Sequence, residues 1–162
     1  MSDQPVPPLA IRWPAEFEPR RAAVHAVNRL DMAAPPAAVW RTLIRAADWP
    51  LWYANAAKVK IDGGGRDLFA GARFTWRTFG VDLVSQVIEF VPEERIAWTA
   101  KAFGIWVCHA WAIAPMPAGC HVLTEETQHG LLSRAGAVVF PGRMERWHQV
   151  WLEGLAARAA KP

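Results

Sequence analysis

His109 and Glu126 are the side chains whose types best suit proton transfer. His109 sits in the apolar run Val107-Cys108-His109-Ala110-Trp111. An imidazole there is either a hydrogen-bonding group or general base in a pocket, or a core histidine satisfied by its neighbours. Glu126 follows Glu125, and alternation along a strand turns only one of the two inward. A carboxylate facing an apolar cavity has its pKa raised by desolvation. Glu126 is therefore the expected partner of His109 across neighbouring strands. Asp82 is a third acid, and the pattern around it fits both an inward and a rim position.

Two Cys-His pairs, Cys108-His109 and Cys120-His121, invite a test for a metal site. A hairpin centred near Ala114 sets Cys108 opposite Cys120, with both thiols on one face and both imidazoles on the other. Ligands divided in this way cannot close a tetrahedral site, so no metal is expected. The opposed thiols are near enough to join under oxidation, and in a reducing compartment both stay free. Gly63-Gly64-Gly65 lacks the Lys-Ser/Thr of a phosphate loop, and no Ser lies in a nucleophile motif, so no cofactor is implied.

Tryptophan is the compositional outlier, with 10 copies against one Tyr in 162 residues. Each indole offers a flat apolar wall and one N–H donor, which suits a planar hydrophobic ligand with some polar character. The expected wall consists of Phe74, Trp76, Trp98, Val107, His109, Trp111 and Glu126 from strands, with Trp147 and Trp151 from a helix. The competing reading is that Trp40, Trp49, Trp147 and Trp151 only fill the space between helices and sheet.

These side chains need elements to hold them. Residues 1–21 carry Pro5, Pro7, Pro8, Pro14 and Pro19 and read as a loose proline-rich arm, which Trp13 and Phe17 could pin down. Residues 22–162 read as one domain. Ala23–Asp31 alternates as a strand, and Pro36 opens a helix through Val39, Trp40, Leu43 and Ile44. Asp48-Trp49-Pro50 ends that helix, and Val59–Ile61 is a short strand. Arg73–Phe79, Val81–Phe90, Arg95–Ala102, Ile105–Ala114 and Cys120–Gln128 follow as strands with short connections, hence antiparallel neighbours. A short helix near Ser133–Phe140 precedes a long one near Arg143–Ala159, with Met144, Trp147, Trp151 and Leu155 on one apolar stripe. A twisted antiparallel sheet curls, and one helix on its concave side leaves a cavity. The expected class is α+β.

Net charge is +3, from 18 basic and 15 acidic residues. Residues 131–162 hold Arg134, Arg143, Arg146, Arg158 and Lys161 against Glu145 and Glu153, so the excess lies wholly in that segment. No basic run tracks a phosphate backbone, so nucleic acid is not an expected partner. No stretch nears the ~18 apolar residues of a membrane span, so no stable membrane insertion is expected. The N-terminus reads as lacking a signal peptide, which makes the cytoplasm the expected compartment.

Three segments carry a family resemblance. They are Ala33–Leu43 with Asp48-Trp49-Pro50-Leu51-Trp52; Val87–Trp98; and His109-Ala110-Trp111-Ala112-Ile113 followed by Gly119–Glu126 and Gly130. In order and spacing the chain resembles the SRPBCC superfamily, which includes START domains, birch-allergen-like proteins and the polyketide cyclase/dehydrase family. The match spans about residues 23–160. The resemblance implies a helix-grip fold: a curved antiparallel sheet wrapped around a long C-terminal helix, with a deep hydrophobic pocket. Cys120 stands where relatives often carry Thr. Superfamily members bind lipids, hormones or polyketides, and some catalyse. The expected function is binding of a hydrophobic small molecule between sheet and terminal helix. The alternatives are a polyketide cyclase/dehydratase that moves protons with His109 and Glu126 or Asp82, and a protein with a filled interior.

Overall fold

Alternating apolar residues build most of the chain into strands, and proline and glycine punctuate them. The computed structural model describes residues 9–161; the first eight residues of the proline-rich arm lie outside them. The strands are β1 (Val24–Met32), β2 (Ala57–Ile61), β3 (Arg73–Thr78), β4 (Val81–Val91), β5 (Arg95–Ala102), β6 (Ile105–Met116) and β7 (Gly119–His129). The helices are α1 (Pro36–Ile44), α2 (Leu131–Val139) and α3 (Arg143–Ala159). The seven strands form one antiparallel sheet in the order β1-β7-β6-β5-β4-β3-β2. The sheet is curved and unclosed, and α3 packs along β1 and against α1. This is the α+β helix-grip architecture.

Proline at its first position starts α1, where a missing N–H costs nothing. Ala46–Leu51 then tightens into a 3-10 segment that turns Trp49 fully inward. Its indole Nε1 donates to the Leu43 carbonyl at 2.9 Å, one of the carbonyls that the end of α1 leaves free. The arm is partly packed rather than loose. Residues 15–17 and 19–21 form 3-10 turns, Phe17 is buried, and Thr127 Oγ1 donates to the Phe17 carbonyl at 3.0 Å.

Two expectations about register need correction. The β6–β7 hairpin turns after Met116, which pairs with Gly119, rather than near Ala114. Cys108 therefore pairs with Thr127, and Cys120 with Pro115. The two thiols lie at opposite ends of the hairpin and on opposite faces of the sheet, so no disulfide can join them. On α3 the buried residues are His148, Trp151, Leu152, Leu155 and Ala159. The stripe is turned slightly from the expected one, and Met144 and Trp147 are only half-buried.

Between α3 and the sheet, aromatic rings make up the core. Trp151 stacks on Tyr53 with centroids 4.4 Å apart at 10°. Trp49 meets Trp151 edge-on at 5.2 Å and lies 5.6 Å from Trp98. Burial of each such side chain stabilises the fold by about 1.5–3 kcal/mol.

Candidate functional site

The corrected register places His109 directly opposite Glu126, and Trp98 opposite His109 on the other side. Gln128, two residues on, shares the face of Glu126. From the other layer, α3 brings His148 down onto the same carboxylate. Glu126 Oε2 lies 3.1 Å from His109 Nδ1 and 3.3 Å from His148 Nε2. Its other oxygen accepts from Gln128 Nε2 at 2.6 Å. The two imidazoles stack with centroids 4.7 Å apart at 18°. His109 Nε2 lies 2.8 Å from Thr124 Oγ1.

Burial pushes the His109 imidazole down to about 3, against the pull of the Glu126 charge, so it is neutral near pH 7. Burial alone would raise the Glu126 carboxyl. The hydrogen bond with His148, the two imidazoles and Gln128 outweigh burial and hold it below the usual carboxylate range. The expectation of a raised carboxyl is thus reversed, because the polar partners face the acid as closely as the apolar wall does. The Thr124 hydroxyl that faces His109 Nε2 also donates to the Ala110 carbonyl at 3.3 Å, which ties the imidazole to the β6–β7 backbone.

A cavity of about 410 Å³ lies between sheet, α2 and α3. Trp76, Trp98, Val107, Glu126 and Trp151 line it, as do Tyr53, Leu83 and His148. Leu132, Gly136, Phe140 and Gly142 are exposed lining residues and mark its mouth beneath α2. Phe74, His109, Trp111 and Trp147 lie outside the cavity wall; His109 reaches it only through Glu126 and His148. Among the lining groups, Trp151 Nε1 and His148 Nδ1 are buried and have no hydrogen-bond partner. Trp151 Nε1 is therefore a donor without a partner inside the aromatic core. Burial holds Tyr53 above its usual range, and its hydroxyl accepts from Asn55 Nδ2 at 3.2 Å. Trp76 Nε1 is satisfied by Ser85 Oγ at 3.1 Å.

The three acids separate cleanly. Glu126 is the inward one. Glu125 meets His25 Nε2 at 2.8 Å on the other face, and Asp82 pairs with Arg77 at the surface at 2.7 Å. His121 sits with Asp31, away from the site. Cys108, His109, Cys120 and His121 do not converge. A different trio, His109, Glu126 and His148, brings three possible ligand atoms within 4.8 Å of one another. Ligation needs both imidazole lone pairs to converge at about 2.0–2.1 Å. Stacked, nearly parallel rings do not provide this unless one turns. Sequence reasoning missed His148, although its spacing to Trp151 and Leu155 carried the signal.

Comparison with known proteins agrees with the fold. A family model described as polyketide cyclase / dehydrase and lipid transport matches residues 11–160. Hypothetical protein jhp0584 from Helicobacter pylori is 28% identical with a TM-score of 0.88, over 95% of this chain and 98% of that one. The Zhui aromatase/cyclase from a Streptomyces species is 16% identical with a TM-score of 0.66, over 84% of this chain and 93% of that one. The di-domain aromatase/cyclase StfQ, from the steffimycin biosynthetic pathway, is 15% identical with a TM-score of 0.67, over 84% of this chain and 50% of that one. No curated protein matches.

Proposed function

Because the chain belongs to the polyketide cyclase / dehydrase and lipid transport family, we propose that it holds one hydrophobic small molecule, polyketide- or lipid-like, between sheet and α3. The carrying observation is a cavity of about 410 Å³ walled by indoles, with Trp151 Nε1 and His148 Nδ1 buried and unpartnered. A buried polar group without a partner is costly, so a ligand that supplies one gains both affinity and orientation. The guest that fits is apolar over most of its length and carries a neutral oxygen, such as a carbonyl, to accept from Trp151. The cytoplasm is the proposed compartment. Native mass spectrometry of gently purified protein tests the reading. A stoichiometric apolar adduct is expected, with weaker retention in Trp151→Phe. A cavity that takes up no apolar compound overturns it.

One observation favours a second reading, a cyclase/dehydratase: an ionised carboxylate at the cavity wall faces two imidazoles. In aldol closure, Glu126 takes a proton from a methylene between two carbonyls. The carbanion attacks a second carbonyl carbon, and the new alkoxide is protonated. Loss of a further α-proton, with the hydroxyl leaving as water, completes dehydration. His109 lies behind the acid and acts as a positioning residue. Turnover of a poly-β-carbonyl thioester by Glu126→Gln decides between the readings. Loss of turnover in the variant supports the second reading, retained turnover removes Glu126 from it, and no turnover in the wild type leaves binding alone.

A further inference from the structure

The family match and the cavity leave one surface unexplained. Helix α2 carries its apolar side outward. Leu131 and Val138 are each 82% exposed and Val139 is 64% exposed, whereas the helix buries Ser133, whose Oγ donates to the His129 carbonyl at 3.1 Å. Residues 131, 135, 138 and 139 fall on one helical face, so this is a continuous stripe rather than scattered exposure.

The turn between β5 and β6 extends the stripe. Phe103 at its tip is 94% exposed, and Trp106 is 45% exposed. The turn lies against α2: a Cβ at Gly104 would touch the Leu132 side chain at 3.3 Å. At Gly130, where φ is +110°, a Cβ would strike the Gly104 carbonyl oxygen. Only glycine lets the two segments approach this closely.

Charge around this stripe is predominantly basic, with Glu145 as the one acid between Arg143 and Arg146. Arg134 stands on α2, and Arg143 and Arg146 follow it; no acidic residue occurs from 130 to 144. Directly beneath lies the cavity mouth, to which Leu132, Gly136, Phe140 and Arg143 contribute.

We propose that α2 and the β5–β6 turn form a docking face for an anionic lipid bilayer, through which an apolar guest enters or leaves the cavity. An apolar stripe with a basic border fits the boundary between acyl chains and acidic headgroups. A second copy fits worse. Two-fold pairing places the same patch on both sides, so arginines would meet arginines. The guest route rests on the binding reading above, whereas the docking itself does not.

Vesicle co-sedimentation of the full chain without added ligand tests the docking. Phosphatidylcholine vesicles are compared with vesicles that also contain phosphatidylglycerol. Binding to the acidic vesicles is expected to be roughly tenfold stronger and to fall as salt rises. Val138→Asp with Val139→Asp should weaken it roughly tenfold; both positions are exposed, so the fold should survive, with an unchanged melting temperature as the check. Arg134→Glu should remove the preference for acidic vesicles. No sedimentation with either vesicle overturns the proposal, as does binding that the variants leave unchanged. A concentration-dependent dimer that the double variant abolishes assigns the face to a second copy and also overturns it. Because no ligand is used, a negative result leaves the cavity reading intact.

Discussion

The imidazoles of His109 and His148 stack 4.7 Å apart at 18°, although one comes from the middle of a strand and the other from the terminal helix. Both face the same oxygen of Glu126. This contact ties the helix to the sheet through a polar group inside an aromatic core. Such a group holds one arrangement only while each partner keeps its protonation state.

Stability should therefore fall on acidification. The folded protein holds His109 down to about 3, against about 6.5 for a free imidazole. Its contribution is complete above about pH 6.5 and is lost as pH falls towards the folded value, at about 1.4 kcal/mol per unit. Glu126 is also held below its usual range, so its contribution too exists above the unfolded value and is lost as pH falls through the folded one. Urea midpoints of the wild type should drop between about pH 6.5 and pH 4. His109→Gln should flatten that slope, whatever its absolute stability. Parallel slopes in the two proteins would refute the assignment.

Two tryptophans should answer differently to the same substitution. Trp49 Nε1 donates to the buried Leu43 carbonyl, whereas Trp151 Nε1 has no partner. Trp49→Phe leaves an acceptor unsatisfied and should cost about 1–2 kcal/mol more than Trp151→Phe. Chemical denaturation with matched m-values measures the difference; equal losses contradict it.

Gly136 lies on α2 at the cavity mouth, and a Cβ there meets nothing within 4 Å. Gly136→Leu should keep or raise stability by about 0.5–1 kcal/mol, since glycine is a poor helix residue. The same side chain narrows the mouth. Uptake of Nile red, followed by stopped-flow fluorescence, should slow several-fold. Unchanged kinetics would place the route elsewhere.

The thiols should be inert. Burial, with smaller help from Glu126, pushes Cys108 up to about 12; burial and Asp31 push Cys120 up to about 11. Little thiolate exists near neutrality, so iodoacetamide should label neither until the protein unfolds. Mild oxidation should give no internal disulfide. Mass spectrometry of intact protein reads both results.

The strands were legible because alternation persists through them; Ile96, Trp98, Ala100 and Val107, His109, Trp111 are all buried as the pattern implies. Hairpin register was not. Pro115 looks like a strand terminator, yet β6 runs on to Met116. It is tolerated because β5 stops at Arg95, opposite Ala112, so Pro115 has a neighbour only in β7. His148 was hidden for a different reason. A histidine among Trp147, Gln149 and Arg146 reads as helix surface; its spacing to Trp151 and Leu155 puts it on the buried stripe, but Met144 and Trp147 draw the expected stripe to one side of it.

Gly136, Phe140 and Arg143 stand at one end of the cavity and Glu126 deeper along it. The hollow thus has a rim of mixed charge, with Arg143 beside Glu145, and an ionised carboxylate in its buried wall. A guest with an acidic terminus would be repelled by that inner carboxylate and would keep its own charge towards solvent. It would be steered in tail first, and its headgroup would stop at the rim.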